Sequence, residues 1–171
     1  MRHLSRVLGI AFSATLLGAG SAHAFSVSAS DVPGGVSSAW VGDALFESSP
    51  RAFAHKSNPG FTGLGVKGGF VNGEIALENE SITVTFAEPV VLSQIVLGHL
   101  FKKWNYGDLV SEVARVQVLD VPDAFVAGDL SVLTGTTATW SGSGGAVTNL
   151  SPGLQGHGGL WAIADPFGTL A

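Results

Sequence analysis

The hexapeptide Ser81-Ile82-Thr83-Val84-Thr85-Phe86 alternates polar and apolar residues without a break. Successive side chains of an extended backbone point to opposite faces. A period of two therefore predicts a strand with one face on a core and the other toward solvent. Pro89 closes the run, because proline has no N–H to give to a ladder.

The same signal recurs along the chain. Val90 to Leu97 is a nearly continuous apolar run, as expected of a more deeply buried strand. Ala114 to Leu119 alternates, with Val116 and Val118 inward and Arg115 and Gln117 outward. Leu130 to Leu133 and Thr136 to Trp140 flank a turn at Thr134-Gly135, and Leu160 to Ala164 is a further strand. Ala39 to Val41 and Phe61 to Val71 match the pattern less closely. The connectors are rich in glycine: Pro33-Gly34-Gly35, Gly68-Gly69, Gly142-Ser143-Gly144-Gly145 and Gly156-His157-Gly158-Gly159. No helical stripe stands out, and Leu109 to Val113 would form one helical turn at most. Many short strands joined by Gly and Pro turns predict an all-β fold, a mainly antiparallel β-sandwich of jelly-roll type. No long repeat is present, which excludes a solenoid.

The first 24 residues read differently. Arg2 and Arg6 precede an apolar run of 11 residues, Val7 to Leu17. Gly18 to Ser21 follows, and Ala22-His23-Ala24 is a small-x-small cleavage site. This is the pattern of a secretory leader, with a mature chain beginning at Phe25. A membrane anchor is disfavoured, since a span needs about 20 apolar residues. Taking 24 residues from 171 leaves 147, a size suited to one domain over 25–171. The mature chain holds no apolar run of membrane length.

Charge narrows the function classes. The 8 Lys and Arg against 13 Asp and Glu argue against nucleic acid, whose phosphates require a basic face. With 12% charged residues, the polar surface must come from Ser, Thr, Asn and backbone. The absence of Cys removes disulfides, thiolate nucleophiles and Cys-ligated zinc.

Chemistry-bearing residues are sparse. His55, His99 and His157 show no metal-ligand spacing, and no G-x-S-x-G elbow exists. His99 follows a buried-looking strand and is expected to pack there. Glu74, Asp108 and Glu112 are the only carboxylates that suggest a cation. Asp108 and Glu112 are four apart and would share a face of a helical turn, and Ca²⁺ takes six to eight oxygen ligands. The alternative is solvated turn carboxylates, and no D-x-D-x-D-G loop is present. The most distinctive segment is Leu100 to Asp108. Trp104 and Tyr106 could stack on sugar rings while Lys102, Asn105 and Asp108 bond hydroxyls, or the aromatics could cap the core.

Several segments together resemble a known group: Leu64-Gly65-Val66, Asn72-Gly73-Glu74-Ile75, Ile82 to Phe86, Pro89-Val90 and Ile95 to Phe101. The likeness continues through Tyr106-Gly107-Asp108, Glu112 to Ala114, Thr139 to Gly144, Gly158 to Trp161 and Pro166-Phe167-Gly168. Over about residues 60–168 the chain is similar to exported bacterial proteins of the PEP-CTERM, exosortase-sorted type. That resemblance implies a surface protein associated with the envelope or exopolysaccharide. The family pattern closes with a Val-Pro-Glu-Pro-like motif, an apolar helix and a basic cluster, which Gly168-Thr169-Leu170-Ala171 does not contain. The expectation is a chain that lacks the anchor or continues past Ala171, with a C-terminal strand missing. Of three function classes, a non-catalytic surface or matrix protein without cofactor fits best. It would be exported through the periplasm to the cell surface or beyond. A carbohydrate-binding module using residues 101–108 is second, and a secreted hydrolase third.

Overall fold

The computed structural model describes residues 10–15, 24–68, 72–75, 79–88, 90–104, 109, 111–119, 126–151 and 159–168. These form an all-β structure of antiparallel sheets. In chain order the strands are β1 (Ile10–Thr15), β2 (Ala24–Val27), β3 (Ser38–Val41), β4 (Ala44–Ser49), β5 (Phe53–Asn58), β6 (Phe61–Val66) and β7 (Ser81–Phe86). They continue with β8 (Val91–Leu100), β9 (Val113–Val118), β10 (Val126–Val132), β11 (Ala138–Trp140), β12 (Val147–Asn149) and β13 (Gly159–Ala164). A 3-10 turn, Ala29–Asp31, precedes β3.

One sheet has the order β12-β13-β8-β1-β2. Two three-stranded sheets, β11-β10-β9 and β3-β4-β7, and the hairpin β5-β6 complete the structure. The strand β1 lies within the apolar run read as a leader, and it pairs antiparallel with both β8 and β2.

The turns follow from residue type. β3 and β4 join through Gly42-Asp43, with φ 57° at Gly42, the first central position of a two-residue hairpin. β5 and β6 join through Pro59-Gly60, where Pro fixes the first central φ and Gly60 takes φ 98°. Not every glycine is a turn residue. Gly65 lies in β6, where a Cβ would overlap the Gly73 carbonyl, and Gly128 lies in β10 beneath the Trp140 ring.

Two apolar cores result. The larger joins β8 and β13 to β9 and β10 through Ile95, Leu97, Ala114, Leu130, Trp161 and Ile163. The smaller gathers Val27, Phe46, Phe53 and Leu64 from β2, β4, β5 and β6, with Val32 from just after the 3-10 turn. Ile82 of β7 packs against both. This is the two-faced packing expected of a sandwich-like fold.

Of the stretch Leu109 to Val113, Leu109 is a bend and Val113 already begins β9, while Asp108 and Val110 lie outside the described residues. The Phe61 to Val71 run stops as a strand at Val66.

Candidate functional site

The loop after β8 is held at its base by paired backbone contacts. Near the end of β8, Gly98 pairs with Leu160 and Leu100 with Gly159, so His99 is the extra residue of a β-bulge. It adopts φ 60°, which histidine tolerates better than most residues. The carbonyl of Leu100 accepts the Trp161 indole N–H at 3.1 Å. Phe101 then turns inward and is buried, covering Gly159. Its N–H donates to Glu112 Oε2 at 2.7 Å, and the Glu112 N–H donates back to the Phe101 carbonyl at 3.0 Å. One rung further, the Lys103 N–H donates to Ser111 Oγ at 3.1 Å.

This bracket presents Trp104 outward. It is 66% exposed and has φ 72°, an unusual conformation for a large side chain. Lys103 Nζ lies 5.0 Å from the ring centroid, within cation–π range. Trp104 therefore does not cap the core; Phe101 takes that place. Lys102 is exposed beside it. Asn105, Tyr106 and Asp108, the other residues read as sugar contacts, lie outside the described residues.

Two of the cation candidates, Glu74 and Glu112, are each engaged by a different internal partner. The buried Glu74 forms an ion pair with Lys56 of β5. Glu112 serves the Phe101 N–H, and Asp108 is outside the described residues. Among the described residues, no group of three or more His, Asp or Glu could hold a metal ion.

His99 is fully buried. Its Nε2–H donates to the Lys56 carbonyl at 3.0 Å, and its Nδ1 accepts from the Asn58 amide at 3.2 Å. The Phe61 ring packs at 4.7 Å. Burial lowers its pKa to about 4, opposed by the Lys56 carbonyl bond and reinforced by the Lys56 charge. The ring is therefore neutral, with both nitrogens engaged, and it fastens the β5-β6 hairpin to β8. Sequence reading placed His99 at a strand end but gave no sign of Lys56 and Asn58, forty residues away, as partners.

A second feature went unread. A cleft of about 840 Å³ opens between β7 and β9. Its floor is the start of β8, with Phe167 and Gly168, and its walls are β7 and the 115–119 stretch. Arg115, on the β9 wall, makes a two-pronged ion pair with Asp129 of β10 at 2.8 and 2.9 Å. The alternation of Ser81 to Phe86 signalled a half-buried face, but nothing local to it signalled that β9 would stand apart from it. No family model, curated protein or solved structure matches the chain.

Proposed function

We propose that this chain is an exported, non-catalytic protein of the cell surface or extracellular matrix. One observation carries the reading: three buried titratable groups, His99, Glu74 and Glu112, are held by internal partners and none of them lines the cleft. His99 bonds Lys56 and Asn58, Glu74 meets Lys56, and Glu112 holds Phe101. General acid–base work requires a titratable side chain within hydrogen-bond reach of the reacting atom. The cleft offers Ser, Thr and aliphatic side chains, with Glu88 and the Asp129-bound Arg115 as its ionisable lining.

Export rests on the leader pattern of residues 1–24, and association with envelope or exopolysaccharide on the PEP-CTERM resemblance. Among the described residues, no helix is long and apolar enough to cross a membrane. In a bacterial host competent for export, the released protein should have the mass of residues 25–171. Retention of the whole chain inside the cell overturns the reading.

Trp104 favours a second reading, in which the loop binds polysaccharide. A bracketed indole turned to solvent, with lysines beside it, is a stacking platform for a sugar ring. Trp104→Ala should weaken retention on the target polysaccharide about tenfold, equivalent to ~1.4 kcal/mol. It should leave the melting temperature unchanged, because the side chain supports no core. Equal retention by both proteins excludes the loop.

A further inference from the structure

The strand β1 is laid between β8 and β2. Phe12 stands opposite both Ile95 and Val27, and Ser13 opposite both Gln94 and Ser26. β2 begins at Ala24, so the bond read as the leader's cleavage site, Ala24–Phe25, lies inside a strand. In that ladder Ala24 stands opposite Thr15 and Phe25 opposite Ala14. The apolar run of the leader thus pairs with the leader's own cleavage site.

We infer that folding hides this bond, so that the leader is removed only before the chain folds. The inference rests on the leader reading of residues 1–24. A peptidase takes its substrate as an extended segment, with the residues on either side of the bond in its own groove. Here those residues belong to the fold and must first leave it.

The residues after the bond are fastened by side chains as well as backbone. Val27 is buried in the smaller core with Phe46, Phe53 and Leu64. The N–H and the Oγ of Ser28 both donate to Asp31 Oδ2, at 2.7 and 2.8 Å. The Asp31 N–H donates back to the Ser28 carbonyl at 3.1 Å. His55 of β5 donates from Nε2 to the carbonyls of Ala29 and Val32, at 2.9 and 3.0 Å. Both partners are acceptors, which places a proton on that nitrogen. The mature chain is therefore anchored from its third residue onward.

Before the bond, β1 is laddered along both edges, to β8 as well as to β2. Exposing Ala24–Phe25 thus gives up the β1–β2 ladder, the burial of Val27 and the Ser28–Asp31 clip together. Segments held in this way open rarely, and with much of the structure around them. A leader trailing free of the fold would instead leave the bond open at every stage. The order of events also shapes the sheet. Among the described residues β8 and β2 meet only through β1, so a chain cut first builds this sheet without the strand that joins them.

The test uses the full chain, unfolded in urea and diluted into nonionic detergent. A purified bacterial leader peptidase is added after increasing delays. A peptide of residues 1–30 is the reference substrate, since it lacks β8 and an isolated hairpin is marginal. Cleavage after Ala24 should be rapid for the peptide and for the chain at the shortest delay. It should fall by about tenfold or more as tryptophan fluorescence reports folding, because cleavage of a masked bond follows the population of the open form. An uncut peptide overturns the leader reading and the inference with it. A cut peptide, with the chain cut equally at every delay, overturns the inference alone. Hydrogen exchange by NMR on the uncleaved, folded chain is the second measurement. Alternate amides of Ala24–Val27 should exchange about tenfold or more slowly than in the peptide. Exchange at the peptide's rate throughout β2 overturns the inference whatever the cleavage rate.

Discussion

The seam between β7 and β9 and the join between β8 and the β5-β6 hairpin are both places where separate sheets meet, and they are built in opposite ways. At the hairpin, a buried imidazole bonds across to Lys56 and Asn58, and β6 closes down on the Gly73 backbone. At the seam, aliphatic side chains of β7 and β9 line a cleft, and among the described residues no ladder joins the two strands. The join depends on directional contacts that fail when a single atom is misplaced. The seam depends on non-directional burial, which tolerates a gap.

That contrast breaks first at Gly65. Gly65→Ala should lose about 3 kcal/mol in urea unfolding, since the added methyl meets backbone that cannot move aside. A loss below 1 kcal/mol would mean that the hairpin is as yielding as the seam.

Acid should act next, and on the join alone. The folded pKa of His99, about 4, lies below its usual 6.5, so between these values the unfolded chain binds more protons. The contribution of His99 is complete above about pH 6.5 and is lost as pH falls toward 4, about 3 kcal/mol in all. The neighbouring Lys56 ammonium, ion-paired with Glu74, repels the protonated ring and acts in the same direction. Replacing the ring by His99→Asn, which tolerates the positive φ, should flatten this part of the profile. An unchanged slope between pH 6.5 and 4 in the variant would assign the acid sensitivity elsewhere.

The smallest effect belongs to the seam. Val118→Ala removes methyl groups already half in the cleft and should cost about 0.5 kcal/mol, well below the 2–5 kcal/mol of a closed core truncation such as Leu97→Ala. Comparable losses at the two positions would mean that the cleft closes in solution.

Sequence reading caught the elements whose burial is periodic. Ser81 to Phe86 is a strand to the residue, the expected β9 and β13 are displaced by one residue, and β8 starts one residue later and ends three later than expected. β8 runs on to Leu100 because the bulge at His99 lets it continue past the point where its apolar run ends. β4 and β5 were missed. Ala44 to Ser49 and Phe53 to Asn58 each begin apolar and finish polar, so the alternation fades as they leave the core. At the loop, composition marked Trp104 but could not say whether it pointed in or out. Phe101, three residues earlier, takes the inward place. The cleft was illegible for another reason: it is created by pairings between strands distant in the chain.

Trp140 shows how a small alphabet can be locked by geometry. Its ring lies against Gly128, Gly142 and Gly145, its N–H donates to the Pro166 carbonyl at 2.7 Å, and its edge meets Phe167, which also lines the cleft. Any side chain at one of those glycines would push the indole off, and the cleft floor would move with it. Three positions scattered over 18 residues are thereby bound into one heritable unit. Mutational drift can reach the shape of the cleft through them without altering a residue in either of its walls.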